Sequence, residues 1–198
     1  MMKKWDYKTA GISDDLFIRA NVPMSKEEIR AVIISKLRLK NKHIVYDIGA
    51  GTGSVSIEIA QQAKEGRVYA IERKKEAIDL IVKNTKEFEL ENIKIIEGNA
   101  PEKLSDLPSP DRVFVGGSDG QLANILKGVD NKIKSDGRIV VTAVTINTLN
   151  LAIKTFEKLN YELNISNIAV TRTKKVNDYH MFKALNPIYI ISANRNRR

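Results

Sequence analysis

The chain predicts an α/β fold, a mostly parallel seven-stranded sheet covered by helices on both faces and finished by an antiparallel hairpin. Three observations carry this. Short apolar runs alternate with helical periodicities from Ile44 to Leu159. The first run, Ile44–Ile48, lacks in-out alternation and stops in Gly49-Ala50-Gly51-Thr52-Gly53, as a strand buried on both faces does when it ends in a tight turn. After Leu159 the rhythm breaks. Two apolar segments, 161–170 and 187–193, are separated only by a polar, basic stretch with no covering helix, so they must pair antiparallel.

Residues 1–17 begin irregularly, with Trp5 and Tyr7 as anchors, and 11–19 mix turn formers with an apolar patch. Ser25 reads as a helix N-cap with Glu28 in the capping-box position, and Ile29, Val32, Ile33 and Leu37 form one buried stripe. After the first strand and its glycine turn, 54–63 is a helix with Val55, Ile57, Ile59, Ala60 and Ala63 apolar. Arg67–Glu72 is the second strand, followed by a helix over 75–88 with Ala77, Ile78, Ile81, Val82 and Phe88 inward. Residues 93–98 and 111–117 are the third and fourth strands, and Leu122, Ile125, Leu126 and Val129 mark the next helix. Asp136-Gly137 turns into the fifth strand, Arg138–Ala143, before a helix over 148–159. Residues 161–170 alternate imperfectly, 171–183 read as a basic loop, and 187–193 close the sheet. Such repeated strand-helix units require a sheet with both faces covered. The expectation is one domain over 1–198, with 1–40 helping to cover a site.

Composition bounds the chemistry. With 198 residues, 42% hydrophobic and 29% charged, the chain suits one ordered core. No cysteine is present, which excludes disulfides, thiolate metal sites and a cysteine nucleophile. No apolar run approaches a membrane span and residues 1–8 carry no signal core, which predicts a cytoplasmic location. The formal charge of +9 favours anionic partners, nucleic acids or small polycarboxylates, without choosing between them. Its clustered part lies in Arg172-Thr173-Lys174-Lys175 and Arg195-Asn196-Arg197-Arg198, and a solubilising surface with a basic tail explains it equally well.

The turn itself is more specific. Its spacing is G-x-G-x-G after an acid, not the G-x-G-x-x-G of dinucleotide folds, and no phosphate-binding lysine follows. Val45-Tyr46-Asp47-Ile48-Gly49-Ala50-Gly51-Thr52-Gly53 resembles the first motif of class I S-adenosylmethionine (SAM) methyltransferases. The resemblance implies a Rossmann-like three-layer sandwich with SAM as cofactor. Gly49, Gly51, Thr52 and Gly53 would surround its methionine and ribose, and Asp47 would order the turn or reach the methionine ammonium. Glu72 closes the second strand where nucleotide folds place an acid on ribose hydroxyls. It also suits a helix-start acid or a surface ion pair beside Arg73-Lys74-Lys75. Class I enzymes commonly carry Gly-Asp-Ala where this chain has Gly98-Asn99-Ala100. The Asn99 oxygen still accepts from an adenine amine, without the charge, and the Ala100 N–H can donate; a plain turn is the other reading. Gly116-Gly117-Ser118-Asp119-Gly120, at the fourth strand's mouth beside the methyl group, leaves room for a bulky or flat substrate, and the resemblance counts Gly116 among the cofactor-binding residues. There Asp119 either lines the pocket or caps the helix near Gln121.

Residues 11–19, Val22-Pro23-Met24-Ser25-Lys26-Glu27-Glu28-Ile29-Arg30, Val115-Gly116-Gly117-Ser118 and Asn186-Pro187 are similar to the decarboxylating precorrin methyltransferases of cobalamin biosynthesis. That resemblance runs over nearly the whole chain. It implies an anionic cobalt-tetrapyrrole substrate bearing acetate and propionate groups, methylation of ring carbon 15, loss of carbon dioxide from the ring C acetate, and a tetramer. Two positions depart from the family pattern: Asn147 stands where Glu is common and Asp119 where Gly is common. The implied chemistry is in-line attack by an electron-rich ring carbon on the SAM methyl group, with the pyrrole system accepting electrons as carbon dioxide leaves. The protein aligns the reactants and excludes water, and no protein metal is expected. Asp119, Arg19, Arg172, Tyr179 and His180 are the candidate catalytic and substrate groups; His180 either moves a proton near neutral pH or is merely exposed. An RNA methyltransferase and a noncatalytic SAM-fold binding protein are the rivals. The first has the charge in its favour, and against it the lack of an Asn-Pro-Pro-Tyr-type amine motif, of an appended RNA module and of stacking aromatics.

Overall fold

The computed structural model describes residues 5–195. Among them, β1 (Ile44–Ile48), β2 (Arg67–Glu72), β3 (Ile93–Glu97), β4 (Arg112–Val115) and β5 (Arg138–Ala143) run parallel. They join β6 (Tyr161–Ile168) and β9 (Ile188–Arg195) in one seven-stranded sheet ordered β3-β2-β1-β4-β5-β9-β6. Strand β9 is antiparallel to both its neighbours, β5 and β6, which is the expected C-terminal hairpin.

Helices α1 (Glu27–Leu37), α2 (Ser54–Gln62) and α3 (Lys75–Glu87) cover one face, and α4 (Ala100–Lys103), α5 (Leu122–Asp130) and α6 (Ile146–Lys158) the other. Strand pleating sorts the side chains between the two layers. Val45 packs with α1 and α2, whereas Tyr46 and Ile48 pack with α5 and α6. Both faces of β1 and β4 are buried, which is why neither strand alternates in sequence.

Three local expectations are corrected. Residues 171–183 are not a loop: β7 (Thr171–Val176) and β8 (Tyr179–Ala184) form a separate two-stranded ribbon turned by Asn177-Asp178, with Asn177 at φ +54°. Most of this ribbon is exposed on both faces, so no apolar alternation advertised it. Ser25 does not cap α1. Lys26 holds the cap position without a side-chain bond, and the Ser25 carbonyl accepts from Arg30 instead. Val82, read as inward, is exposed. Of the terminal basic run, Arg195 pairs with Asp130 at 2.5 Å, and residues 196–198 lie outside the described residues.

The N-terminal segment is held by buried charge. Arg30 has no exposed surface; its guanidinium reaches Glu58 and Asp14 at 2.8 Å each, donates to the Ile12 and Ser25 carbonyls, and lies 4.7 Å over the Phe17 ring. Glu58 in turn accepts from the Gly11 and Ile12 N–H groups at 2.8 and 3.1 Å. From β7, Arg172 extends the network to Glu28 (2.6 Å) and Asp14 (3.0 Å). Burial pushes the Asp14 carboxyl up, but the bonds and charges of Arg30 and Arg172 outweigh it and hold the group below its ordinary value. Breaking one side of a buried pair leaves the other charge uncompensated. Arg30→Met is therefore expected to lower the free energy of unfolding by about 3–5 kcal/mol in urea titrations; a loss within experimental error would show that Glu58 and Asp14 do not depend on it.

Candidate active site

The strand order reverses between β1 and β4, the place where open α/β sheets form a crevice beyond the carboxyl ends of their strands. A cleft of about 480 Å³ opens there, in the ~300–1,000 Å³ range of small-molecule sites. Its wall comes from the ends of β1 to β4, with Val22 and Pro23 of the N-terminal segment on the rim.

The glycine turn after β1 is fixed by backbone contacts. The Gly49 and Ala50 N–H groups both donate to the Ile71 carbonyl, at 2.9 and 3.2 Å, and the Gly116 and Gly117 N–H groups donate to the Ile48 carbonyl. Gly49 has φ +71°, and a Cβ atom there would lie 2.5 Å from the Gly117 carbonyl oxygen. The glycine is thus required by the approach of two protein backbones, β1 to β4, before any ligand is considered.

Glu72 ties this turn to β2. One carboxylate oxygen accepts from Gly51 N–H at 3.0 Å; the other accepts from Arg73 and Lys74 N–H at 2.8 and 2.9 Å. The side chain is nearly buried yet borders the cleft, together with Gly49, Gly51, Asn99, Ala100 and Gly116. Six of the nine residues expected to hold a cofactor therefore converge on one wall. Asp47, Thr52 and Gly53 do not line it. Asp47 is fully buried under the turn and accepts from Ser56 Oγ at 2.5 Å, Thr52 is buried beside Asn84, and Gly53 opens α2 against Ile81. The Asp47 Oδ1 and Thr52 Oγ1 atoms have no hydrogen-bond partner among the described residues.

Of the expected catalytic and substrate groups, only Asp119 lies at the cleft, and it does not cap α5. Its carboxylate reaches Arg73 at 2.5 Å. Arg172 is spent on Glu28 and Asp14, while Tyr179 and His180 stand exposed on β8. Arg19 is exposed and outside the lining. For Arg172, Tyr179 and His180 the reason is that 171–183 forms a separate two-stranded ribbon instead of a loop folded over the strand ends. Sequence reading passed over Arg73, Lys74, Pro101, Glu102 and Gln121, all of which line the cleft. For Arg73 and Lys74 the signal was their position directly after Glu72, read there only as its ion-pair partners. Among the described residues, the cleft's charged lining is these two cations and three acids, Glu72, Glu102 and Asp119, so the chain's positive excess does not reside here.

A family model for the precorrin methyltransferase domain matches residues 15–195. The chain is 41% identical over 192 residues, 96% of its own length and 98% of the relative's, to a protein of Pyrobaculum calidifontis named "Probable cobalt-precorrin-6B C(15)-methyltransferase (decarboxylating)". Among solved structures it is similar to precorrin-6y C5,15-methyltransferase from Geobacter metallireducens, with 44% identity, TM-score 0.90, and 94% and 97% of the two chains covered. It is also similar to precorrin 8W decarboxylase of Methanobacterium thermoautotrophicum, with 34% identity, TM-score 0.88, and 92% and 99% covered.

The buried acid under the turn has a measurable consequence. Burial pushes the Asp47 carboxyl up to about 7; the bond from Ser56 opposes this and the charge of Glu72 adds to it. Between pH about 4 and 7 the folded chain keeps a proton that the unfolded chain has released, so this group makes stability fall as pH rises through that window. In chemical denaturation across it, Asp47→Asn is expected to remove a destabilisation of up to about 4 kcal/mol at the upper end and to flatten the profile. Parallel profiles for the two proteins would mean that Asp47 is ionised throughout.

Proposed function

Because the chain belongs to the precorrin methyltransferase family, we propose that it transfers a methyl group from SAM to carbon 15 of cobalt-precorrin-6B and removes carbon dioxide from the ring C acetate, in the anaerobic route to cobalamin. The observation that carries the reading is the convergence of the glycine turn, Glu72 and Asn99-Ala100 on one cleft, beside a mouth of small residues, Gly116-Gly117-Ser118.

The residues present fit SAM. A carboxylate offers about four acceptor positions, of which backbone N–H groups already use three on Glu72, leaving about one for a ribose hydroxyl. The Asn99 oxygen and Ala100 N–H suit an adenine edge, and Gly49 and Gly51 of the turn leave space beside them for the methionine end. When bound, SAM supplies an electrophilic methyl group on a good leaving group. The chain's own task is then placement: Glu72, Gly49, Gly51 and Gly116 set the donor's position, and Val22 and Pro23 cover it and exclude water. The macrocycle is wider than the enclosed cleft and lies across its open mouth.

No helix of the described residues is long and apolar enough to cross a membrane, and the proposal places the enzyme in the cytoplasm. It also takes the active form to be an assembly of copies of this chain, a tetramer by the resemblance. A two-stranded ribbon is marginal alone in water, yet β7–β8 exposes Tyr179, Met181 and Phe182, the last at 83%. These side chains are assigned to the contact between copies, and Phe182→Glu should shift the sedimentation profile to smaller species without loss of secondary structure.

The reading is tested by anaerobic incubation with methyl-labelled SAM and cobalt-precorrin-6B. Label in the macrocycle together with release of carbon dioxide supports it, and neither event in the presence of bound SAM rejects it. Glu72→Ala should raise the SAM dissociation constant at least about tenfold, a loss of ~1.4 kcal/mol, by calorimetry. Unchanged affinity would remove Glu72 from the donor site.

A further inference from the structure

The cleft mouth is crossed by an ion pair that no motif announced. Arg73 follows β2 and Asp119 follows β4, so their 2.5 Å contact passes over the end of β1, which lies between those strands, and over the glycine turn. Both residues border the cleft. The pair is open to solvent, with side chains 44% and 67% exposed, and exposed pairs contribute little net stability. Asp119 also sits at φ +47°, a costly conformation for a residue with a Cβ, between Ser118 and Gly120. Lys74, beside Arg73 on the same wall, has no carboxylate partner among the described residues.

We propose that Asp119 is a resident stand-in for a substrate carboxylate: an acetate or propionate group of the incoming macrocycle displaces it from Arg73, and Arg73 is a specificity-determining residue for the acceptor. This rests on the tetrapyrrole reading above. The physical case is an exchange of like for like. An arginine fork accepts one carboxylate or another, and a substrate carboxylate free to orient can take it bidentately. Giving up a solvent-exposed partner costs little, whereas a macrocycle seated across the mouth shields the new pair from water and strengthens it. The exchange also clears the path over the turn, because the bridge spans the opening through which an acceptor carbon must approach. Freed Asp119 returns to solvent at the rim. The remaining carboxylate source, the amino-acid end of the donor, is distinguished by the test.

The probe is uroporphyrin, a stable polycarboxylated tetrapyrrole, titrated by fluorescence into the full chain saturated with S-adenosylhomocysteine. Four proteins are compared: the unaltered chain, Arg73→Gln, Asp119→Asn and the double variant. Asparagine is chosen because it tolerates the left-handed backbone region and removes only the charge. Arg73→Gln is expected to weaken uroporphyrin at least about tenfold. Asp119→Asn is expected to tighten it about two- to sixfold, the gain from releasing an arginine that an exposed pair holds part of the time. In the Arg73→Gln background that gain should vanish, and calorimetric affinity for SAM should change less than about twofold in either single variant. Asp119→Asn that weakens or leaves unchanged the uroporphyrin affinity overturns the exchange, as does a gain that survives without Arg73. Equal losses of SAM and uroporphyrin on Arg73→Gln assign the arginine to the donor's carboxylate and overturn it too. In those three outcomes the tetrapyrrole reading stands. If the unaltered chain binds SAM but neither uroporphyrin nor cobalt-precorrin-6B, the substrate reading falls and takes the exchange with it.

Discussion

The site depends on one carboxylate shared by three backbone amides. Glu72 takes N–H groups from Gly51, Arg73 and Lys74, so a single side chain fixes the bend after β1 against the start of the connection after β2. Hydrogen bonds to an ionised acceptor are about twice as strong as neutral ones, and the accepting side chain is itself nearly buried. With Gly49 pressed against Gly117, three adjacent strand ends, those of β2, β1 and β4, become one rigid edge. A ligand approaching that edge meets a preformed wall and does not have to order it.

Rigidity at this edge would be of little use if the rim were loose. The rim comes from the N-terminal segment, which has little regular structure and rests on a small apolar cluster around Ile12 and Phe17. Ionic contacts reinforce it. Arg30 and Glu58 gather the Gly11 and Ile12 amides, Asp14 and the Ser25 carbonyl around one buried guanidinium, and Asn84 fastens Ile18 and Thr52 from α3. Val22 and Pro23 are thereby held at the cleft from both sides in sequence, by the contacts of Ile18 and of Ser25.

The sequence was legible where burial imposed a pattern. The strands of the parallel sheet, the glycine turn and the acid at the end of β2 were all readable, because a doubly buried strand and a tight turn tolerate few residue types. The β7–β8 ribbon was not, since Thr171 to Val176 buries neither face and so carries no period. The same error misplaced Arg172, Tyr179 and His180, whose assignment assumed a loop over the strand ends. Asp47 shows another limit: the motif identified the residue but not its direction. Residues 45 and 47 share a face by strand periodicity, which turns the carboxylate toward α2 and Ser56 and away from the cleft.

The ion pairs Arg30–Glu58 and Arg73–Asp119 divide by exposure, and the division follows from dielectric. Arg30 and Glu58 are out of water; separating them would strand two charges in a poorly polarisable interior, so the contact persists through any ligand cycle. Arg73 and Asp119 are largely in water, where the same separation is compensated by hydration, so the contact yields to a better-shielded partner. Similar chemical groups thus perform opposite tasks, the first as a fixture of the rim and the second as a contact that opens. A protein of net charge +9 does not need a basic cleft to receive an anionic ring. It needs a cation at the mouth whose present partner is easily left, and Arg73, paired with the exposed Asp119, meets that condition.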